Sequence, residues 1–379
     1  MTATLYGYAF LDDFVLLYPV YALLFSDTGL SVWQISSLFV IWSLTGVALE
    51  VPSGAWADAV SRRLLLWLGP LLTAVGFALW VLAPSYGAFA AGFVLWGARG
   101  ALVSGALEAL VYEELERVGA DARYAEVMGR AKAFGLVAVM ASTGLAGPVF
   151  AWGGYPAVGA ASVLVCLASA VTATRFPEHR VAGEDDGDGW AATLRAGLAE
   201  VRRERSLRGA MVLVPVVTAV WGALDEYTPL LVRATGVAEA TVPWLLLVIW
   251  TGATAGSLLA GRCERLGTAG LGWLLGAAAV ALAAGATAGT PAALVLVALA
   301  FGGFQLATVL ADVRLQRHID DSGRATLTSV AGLGTEVATI AVYAGYAAIS
   351  TSSGHGTAFA LFAVPYLVTA LLLVSRGRD

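Results

Sequence analysis

Four acidic residues lie inside long apolar stretches of the chain, where a charged side chain is costly. They are adjacent pairs, Asp12 with Asp13 and Asp225 with Glu226, and each pair has a proline a few residues on. An ionised side chain at the centre of a bilayer costs about 2.5 to 3.5 kcal/mol on insertion scales, so we treat these residues as functional candidates. Carboxyl groups in such positions can bind and release protons.

Three further ionisable residues lie in predicted helices: Arg99, Glu108 and Glu336. Arg99 and Glu108 are nine residues apart, about half a turn out of phase, so they cannot pair on their own helix. Adjacent helical residues point about 100° apart, so the two acids of each pair are expected to have different surroundings.

The composition predicts an all-α integral membrane protein. Hydrophobic residues make up 59% of the chain and charged residues 13%, and the mean hydropathy is +0.78. These values exclude an ordinary soluble globular protein. The apolar runs are also too long for β-barrel strands, which alternate over about ten residues.

Twelve apolar segments are long enough to cross a bilayer, which needs about 20 residues each. Six precede and six follow a charged stretch, so we predict an N-terminal bundle (1–175), a cytoplasmic linker (176–207) and a C-terminal bundle (208–379). Matching residues in the two halves predict pseudo-symmetric bundles. The predicted segments are 5–25, 33–52, 64–83, 87–110, 131–150, 155–174, 209–231, 242–261, 268–288, 291–312, 325–349 and 356–374.

The basic residues predict the orientation of these segments. All of the 22 Lys and Arg residues except Arg99 and Arg233 fall in the linker, at the C-terminus or in alternate loops on one side. Because cytoplasmic loops retain Lys and Arg, we predict that both termini and the linker face the cytoplasm of a cell membrane.

A signature stretch follows the second segment and reads EVPSGAWADAVSRR from Glu50 to Arg63. Its Gly54, Asp58, Arg62 and Arg63 resemble the loop between helices two and three of the major facilitator superfamily. The chain departs from the family pattern at Ala59, where a basic residue is usual, and at Ser61, where glycine is usual. The resemblance implies a loop that latches the cytoplasmic side shut, with Asp58 near Arg324. The alternative is that the arginines only anchor the loop at the membrane surface.

A second stretch, Thr143–Pro148 in the fifth segment, is similar to the Gly-Pro element of drug-proton antiporters in this superfamily. The two glycines that should follow arrive late, at Gly153 and Gly154. Small residues also allow plain helix packing, and Gly252 with Gly256 offers the corresponding surface in the eighth segment.

The resemblance implies a secondary active transporter that works by alternating access, with helices one, four, seven and ten around a central cavity. The acid pairs and Arg99 would then lie around one chamber, so we expect Arg99 to contact Asp12 or Asp13 and one acid of each pair to face the cavity. The alternative is that all four acids are structural partners without a role in transport.

We expect proton-coupled efflux of a small apolar or amphipathic compound by a monomer, with lipid and protons as partners and without cofactor, metal or nucleic acid. Trp96, Trp221 and Trp250 could line an apolar site, although packing is the commoner role of buried tryptophan.

Three alternatives to an exporter remain open from the sequence. The first is a proton-coupled uptake symporter for a nutrient or metabolite, and the second is a non-transporting membrane sensor. The third is an intramembrane aspartyl protease, which needs a Gly-x-Gly-Asp element. The nearest stretch, Gly332–Glu336, ends in glutamate.

Overall fold

A computed structural model of the chain describes residues 1–59, 61–103, 106–177, 205–317 and 324–376. Within these ranges, 50–59, 205–208, 210, 316–317, 324–329 and 376 are described by their backbone alone. Regular structure in the described ranges is helical, as the sequence predicts, and eight helical segments are long and apolar enough to cross a membrane. No β-strand occurs among the described residues.

Seven α-helices lie in the described residues up to 177, and the last of them is the longest. They are α1 (Thr2–Asp13), α2 (Tyr21–Asp27), α3 (Val32–Ala59), α4 (Arg62–Leu82), α5 (Tyr86–Val103), α6 (Ala106–Arg117) and α7 (Tyr124–Ala173).

Seven more α-helices lie in the described residues from 205 on. The first two, like α1 and α2, are a longer helix followed by a helix of seven residues. The seven are α8 (Arg205–Asp225), α9 (Thr228–Ala234), α10 (Val242–Cys263), α11 (Thr268–Thr287), α12 (Leu294–Arg317), α13 (Arg324–Leu361) and α14 (Val364–Arg376).

The helices form two compact units. The first unit holds the described residues up to 177 and also Glu239–Trp244, and the second holds the other described residues. In the first unit, α1 packs on α7, α5 packs on α3 and α4, and α4 packs on α7. In the second unit, α8 packs on α12 and α13, and α11 packs on α12 and α14.

The predicted first segment, 5–25, is not one continuous helix. α1 ends at Asp13, and helix resumes only at Tyr21 in α2. The intervening residues include Pro19, which lacks a backbone N–H and disfavours a helical conformation at the residue before it. The interruption therefore begins directly after the first acid pair.

The predicted seventh segment, 209–231, is also interrupted, between the two acids of its pair. α8 ends at Asp225 and α9 begins at Thr228, with Pro229 in its first turn. Proline is tolerated in a first helical turn because the N–H that it lacks would have no helical partner there.

Two long helices contain a glycine break. Gly153 and Gly154 in α7 have non-helical backbone angles, with φ of 60° at Gly154, and Gly354 in α13 has φ of 79°. Positive φ is accessible to glycine without the strain that a Cβ would cause. The first break separates the segments that the sequence predicts as 131–150 and 155–174.

The helices also extend beyond the predicted segments into polar sequence. α7 begins at Tyr124 instead of residue 131, and its first turns carry an ion pair between Arg130 and Glu126 at 2.7 Å. A search for apolar runs does not detect such turns, because charged pairs four residues apart favour helix without being hydrophobic.

Glycines on α10 allow a close approach to α12 within the second unit. A Cβ at Gly252 would lie 2.1 Å from the carbonyl oxygen of Ala298, and a Cβ at Gly256 would lie 2.1 Å from that of Gly302. These distances are far below van der Waals contact, so the backbones meet only because both positions lack a side chain. Packing is therefore the observed role of this glycine pair.

Candidate functional site

The first acid pair lies at the C-terminal end of α1, and one of its members forms an ion pair. The carboxylate of Asp12 contacts the guanidinium group of Arg99 on α5, and these side chains are only 16% and 17% exposed. The sequence predicts a contact from Arg99 to one of the two acids, and the structure identifies Asp12. A charge-assisted pair of this kind offsets part of the cost of removing both groups from water.

Asp13 points to a different helix. A Cβ built at Gly135 on α7 would lie 2.3 Å from Asp13 Oδ2, so this carboxyl group packs directly on the bare backbone of α7. Asp13 forms no ion pair among the described residues, although Arg99 and Asp12 lie within electrostatic range of it. The two neighbouring acids thus have different surroundings.

Arg99 reaches the acids because a glycine on the neighbouring helix makes room for its stem. A Cβ at Gly69 on α4 would lie 3.1 Å from Arg99 Cγ and 2.6 Å from a methyl group of Val103. The phenol rings of Tyr8 and Tyr18 lie within electrostatic range of the guanidinium group. The Arg99 guanidinium group therefore contacts Asp12, with Asp13 and two phenol groups within electrostatic range of it.

The second acid pair lies at the end of α8 and has no such cation. Asp225 Oδ1 accepts a hydrogen bond from the indole Nε1–H of Trp250 on α10 at 2.9 Å. Neither Asp225 nor Glu226 takes part in an ion pair among the described residues. Glu336 on α13, Asp225 and Glu226 all lie within electrostatic range of Tyr343.

The other predicted residues fall outside these two groups. Glu108 is exposed in the first turn of α6. In the predicted gating loop, Arg62 is the first residue of α4 and forms an ion pair with Glu113 of α6, and Arg63 is the second residue of α4. The side chains of Gly54 and Asp58, at the end of α3, lie outside the described residues.

The three deep tryptophans contribute to packing or to hydrogen bonds within a unit. Trp96 stacks between Tyr18 and Trp42, with ring centroids at 5.4 and 4.8 Å. Trp221 donates from its indole N–H to Thr308 at 3.2 Å. Trp250 holds Asp225, which is a role that the sequence alone did not predict for it.

One further contact, which the sequence does not predict, involves a histidine. His355 follows the Gly354 break, and its Nδ1 is 2.8 Å from the hydroxyl of Tyr346. Tyr346 in turn stacks on Tyr227, the neighbour of Glu226, with ring centroids 3.7 Å apart. The glycine at the break was the sequence signal that could have placed His355 against a helix.

The sequence matches the model of the Major Facilitator Superfamily over residues 2–304. The chain belongs to the major facilitator superfamily. Membership makes it a multi-pass membrane transporter for a small molecule, not an enzyme, and it confirms the resemblance to this family. A comparison with curated protein sequences finds no match.

Solved transporter structures share the fold at low sequence identity. A variant of the nucleoside transporter NupG superimposes with a TM-score of 0.82 at 11% identity, covering 99% of this chain and 99% of that one. A POT family transporter in complex with 5-aminolevulinic acid gives 0.72 at 11%, covering 100% and 96%. A bacterial homologue of the human lysosomal transporter Spinster, inward-facing and unoccupied, gives 0.67 at 16%, covering 100% and 94%.

The packing of Asp13 on Gly135 leads to a prediction about the carboxyl group's position. Gly135→Ala should displace the Asp13 carboxylate, which can rotate, so the free energy of unfolding should change by only about 1 kcal/mol. Transport driven by an imposed pH gradient in proteoliposomes should nevertheless fall. Gly129→Ala is the matched control, because a Cβ at Gly129 on the same helix meets nothing within 4 Å. Equal transport by the two variants would show that transport does not depend on the position of the Asp13 carboxylate.

Proposed function

We propose that the protein is a proton-coupled exporter of a small apolar or amphipathic compound that works by alternating access. The observation that carries the proposal is the placement of an acid pair at the C-terminal end of an interrupted helix in each unit. Carbonyl groups at a helix C-terminus carry partial negative charge, so they favour a proton or another cation beside these carboxyl groups.

Charge balance in the first unit supports a proton as the coupling ion. When Asp12 and Asp13 are both ionised, two negative charges surround the single positive charge of Arg99. Protonation of one carboxyl group makes the three side chains neutral together, which lowers the cost of their burial in a bilayer. Since Asp12 is paired with Arg99, Asp13 is the acid that we assign to proton binding.

The second unit also supports proton binding by a carboxyl group, although its acids form no ion pair with an arginine among the described residues. Asp225 is held by a neutral donor, Trp250, and Glu226 has no ion-pair partner among the described residues. A proton or a cationic substrate would therefore neutralise Glu226 without displacing an arginine. Proton and substrate flux become coupled if the rearrangement between the two access states changes proton affinity at these acids.

We also propose twelve membrane crossings in two six-helix bundles, with a linker at 176–207 and both termini in the cytoplasm. Support comes from the eight long apolar segments, two of which contain a glycine break. The interrupted helices α1–α2 and α8–α9 supply the remaining crossings. The distribution of arginines supports the orientation in the cell membrane, and we propose a monomer.

The four acids can be separated by single amide variants tested in proteoliposomes with an imposed pH gradient. The probe is the compound to which a deletion strain becomes hypersensitive in a growth panel. Asp13→Asn and Glu226→Gln should reduce accumulation to the level of protein-free liposomes, because a neutral amide cannot exchange a proton, while downhill exchange persists.

Asp225→Asn is the matched control for Glu226→Gln, since an amide oxygen can still accept the hydrogen bond from Trp250. Asp12→Asn should mainly weaken folding, because it leaves Arg99 without its partner. Accumulation at the wild-type level by all four variants would show that the acids are structural. A growth defect on a nutrient, in place of hypersensitivity, would favour the uptake symporter.

The orientation can be tested with a native thiol. Cys263 is partly exposed at the end of α10, beside Arg262, whereas Cys166 is buried in α7. An impermeant maleimide should leave Cys263 unlabelled in intact cells and label it in inside-out vesicles. Labelling in intact, right-side-out cells would reverse the proposed topology.

A further inference from the structure

In the first unit, a hydroxyl group on the last helical stretch contacts the backbone next to the acids. Ser162 on α7 is fully buried. Its Oγ accepts a hydrogen bond from the backbone N–H of Leu17 at 3.0 Å and donates to the carbonyl of Val158 at 2.8 Å. Leu17 lies in the interruption between α1 and α2, four residues after Asp13.

This contact replaces a bond that the interrupted helix cannot make. The N–H of Leu17 would bond to the carbonyl of Asp13 in a continuous helix, but α1 ends at Asp13 and Val15 takes that carbonyl at 2.9 Å. A buried backbone N–H without a partner is costly, so Ser162 stabilises the conformation in which α1 stops at its acid pair.

In the second unit, a tyrosine hydroxyl makes the corresponding contact on α8. Tyr366 on α14 is fully buried. Its Oη accepts a hydrogen bond from the backbone N–H of Trp221 at 2.8 Å and donates to the carbonyl of Val217 at 3.0 Å. Val217 and Trp221 are four residues apart, so their carbonyl and N–H groups would bond to each other in a regular helix. The hydroxyl of Tyr366 lies between them, and Trp221 precedes Asp225 by four residues.

The ring of Tyr366 is held in place by the neighbouring helix. Phe304 on α12 stacks on it with ring centroids 3.9 Å apart and an interplanar angle of 16°. A side chain that inserts into the rungs of a helix bends it or allows it to bend at that point. The direction in which the end of α8 carries Asp225 and Glu226 therefore depends on this hydroxyl.

We infer that Ser162 and Tyr366 are positioning residues, which set the place of the acid pairs by binding backbone groups of the helices that carry them. The inference rests on the proposed function, in which these acids bind the coupling proton. Neither residue is an acid or a base in transport; each acts through α1 or α8. The two units use different side chains for the same purpose, and both hydroxyls lie on the last helical stretch of their unit.

The first experiment measures backbone amide exchange by mass spectrometry on the full-length protein in lipid nanodiscs and needs no substrate. Ser162→Ala should make the amides of residues 14–20 exchange about tenfold faster, because Leu17 loses its acceptor. The matched control is Ser169→Ala on the same helix, whose buried hydroxyl has no hydrogen-bond partner among the described residues. Equal exchange in Ser162→Ala and the wild type would overturn the role of Ser162.

The second experiment measures the pH profile of transport in proteoliposomes. Tyr366→Phe keeps the ring stacked on Phe304 and removes the hydroxyl, so it should shift the midpoint of the profile by about half a pH unit or more. Thr218→Val on α8 is the control, because the buried hydroxyl of Thr218 also has no hydrogen-bond partner among the described residues.

A lower melting temperature of Tyr366→Phe with an unchanged pH profile would reduce Tyr366 to a structural role and overturn the inference. If Tyr366→Phe does not fold, Phe304→Leu takes its place, since it removes the stacking and should shift the profile in the same direction. A flat profile in the wild type would instead refute the proposed function, and this result is visible before any variant is made.

Discussion

The ion pair between Asp12 and Arg99 is the contact on which the arrangement of the first unit depends. Arg99 has no other carboxylate in ion-pair contact among the described residues, and it is largely buried in a helix that crosses the membrane. Removing its partner would leave an uncompensated charge, which is far more costly than keeping the pair. The stem of Arg99 needs the space beside Gly69, and its charge fixes the end of α1 against α5.

The interruptions after the acid pairs give the two units a common design with different electrostatics. In each unit the first helix stops at its acids, so carbonyl groups that lack helical partners gather beside carboxyl groups. The first unit balances this negative charge with Arg99, whereas the second holds Asp225 with the neutral Trp250. In the mechanism that we propose, coupling to protons needs groups whose charge can change at low cost, and an acid without a fixed cation meets that need.

Much of the helical architecture follows from the sequence, because apolar length is a property of single segments. The pairing of Arg99 with an acid on the first helix was expected from the family arrangement of helices around one cavity, since Glu108 is out of phase with Arg99. The interruptions after Asp13 and Asp225 do not follow from hydropathy, because apolar residues flank both acid pairs. Pro19 and Pro229 were visible signals, but a proline within an apolar run can equally produce a kink in a continuous helix.

Contacts between distant helices account for the remaining differences. The hydrogen bond from Trp250 to Asp225 and the packing of Asp13 on Gly135 join residues far apart in the chain. Their sequence signals, a tryptophan and a glycine in apolar helices, are common to packing sites of every kind. From the sequence, Gly252 and Gly256 offer a packing surface that corresponds to the Gly-Pro element of the fifth segment. In the structure these glycines pack on α12, a partner that the sequence does not identify.

The central claim is that Arg99 pairs with Asp12 and leaves Asp13 free to bind a proton. A double-mutant cycle on the free energy of unfolding tests this claim most directly. Asp12→Asn and Arg99→Gln are measured singly and together in the purified protein, with Asp13→Asn and Arg99→Gln as the matched cycle. We predict a coupling energy of about 2 to 3 kcal/mol for Asp12 with Arg99 and a clearly smaller one for Asp13. Equal coupling in the two cycles, or a larger value for Asp13, would contradict the division of roles between the two acids.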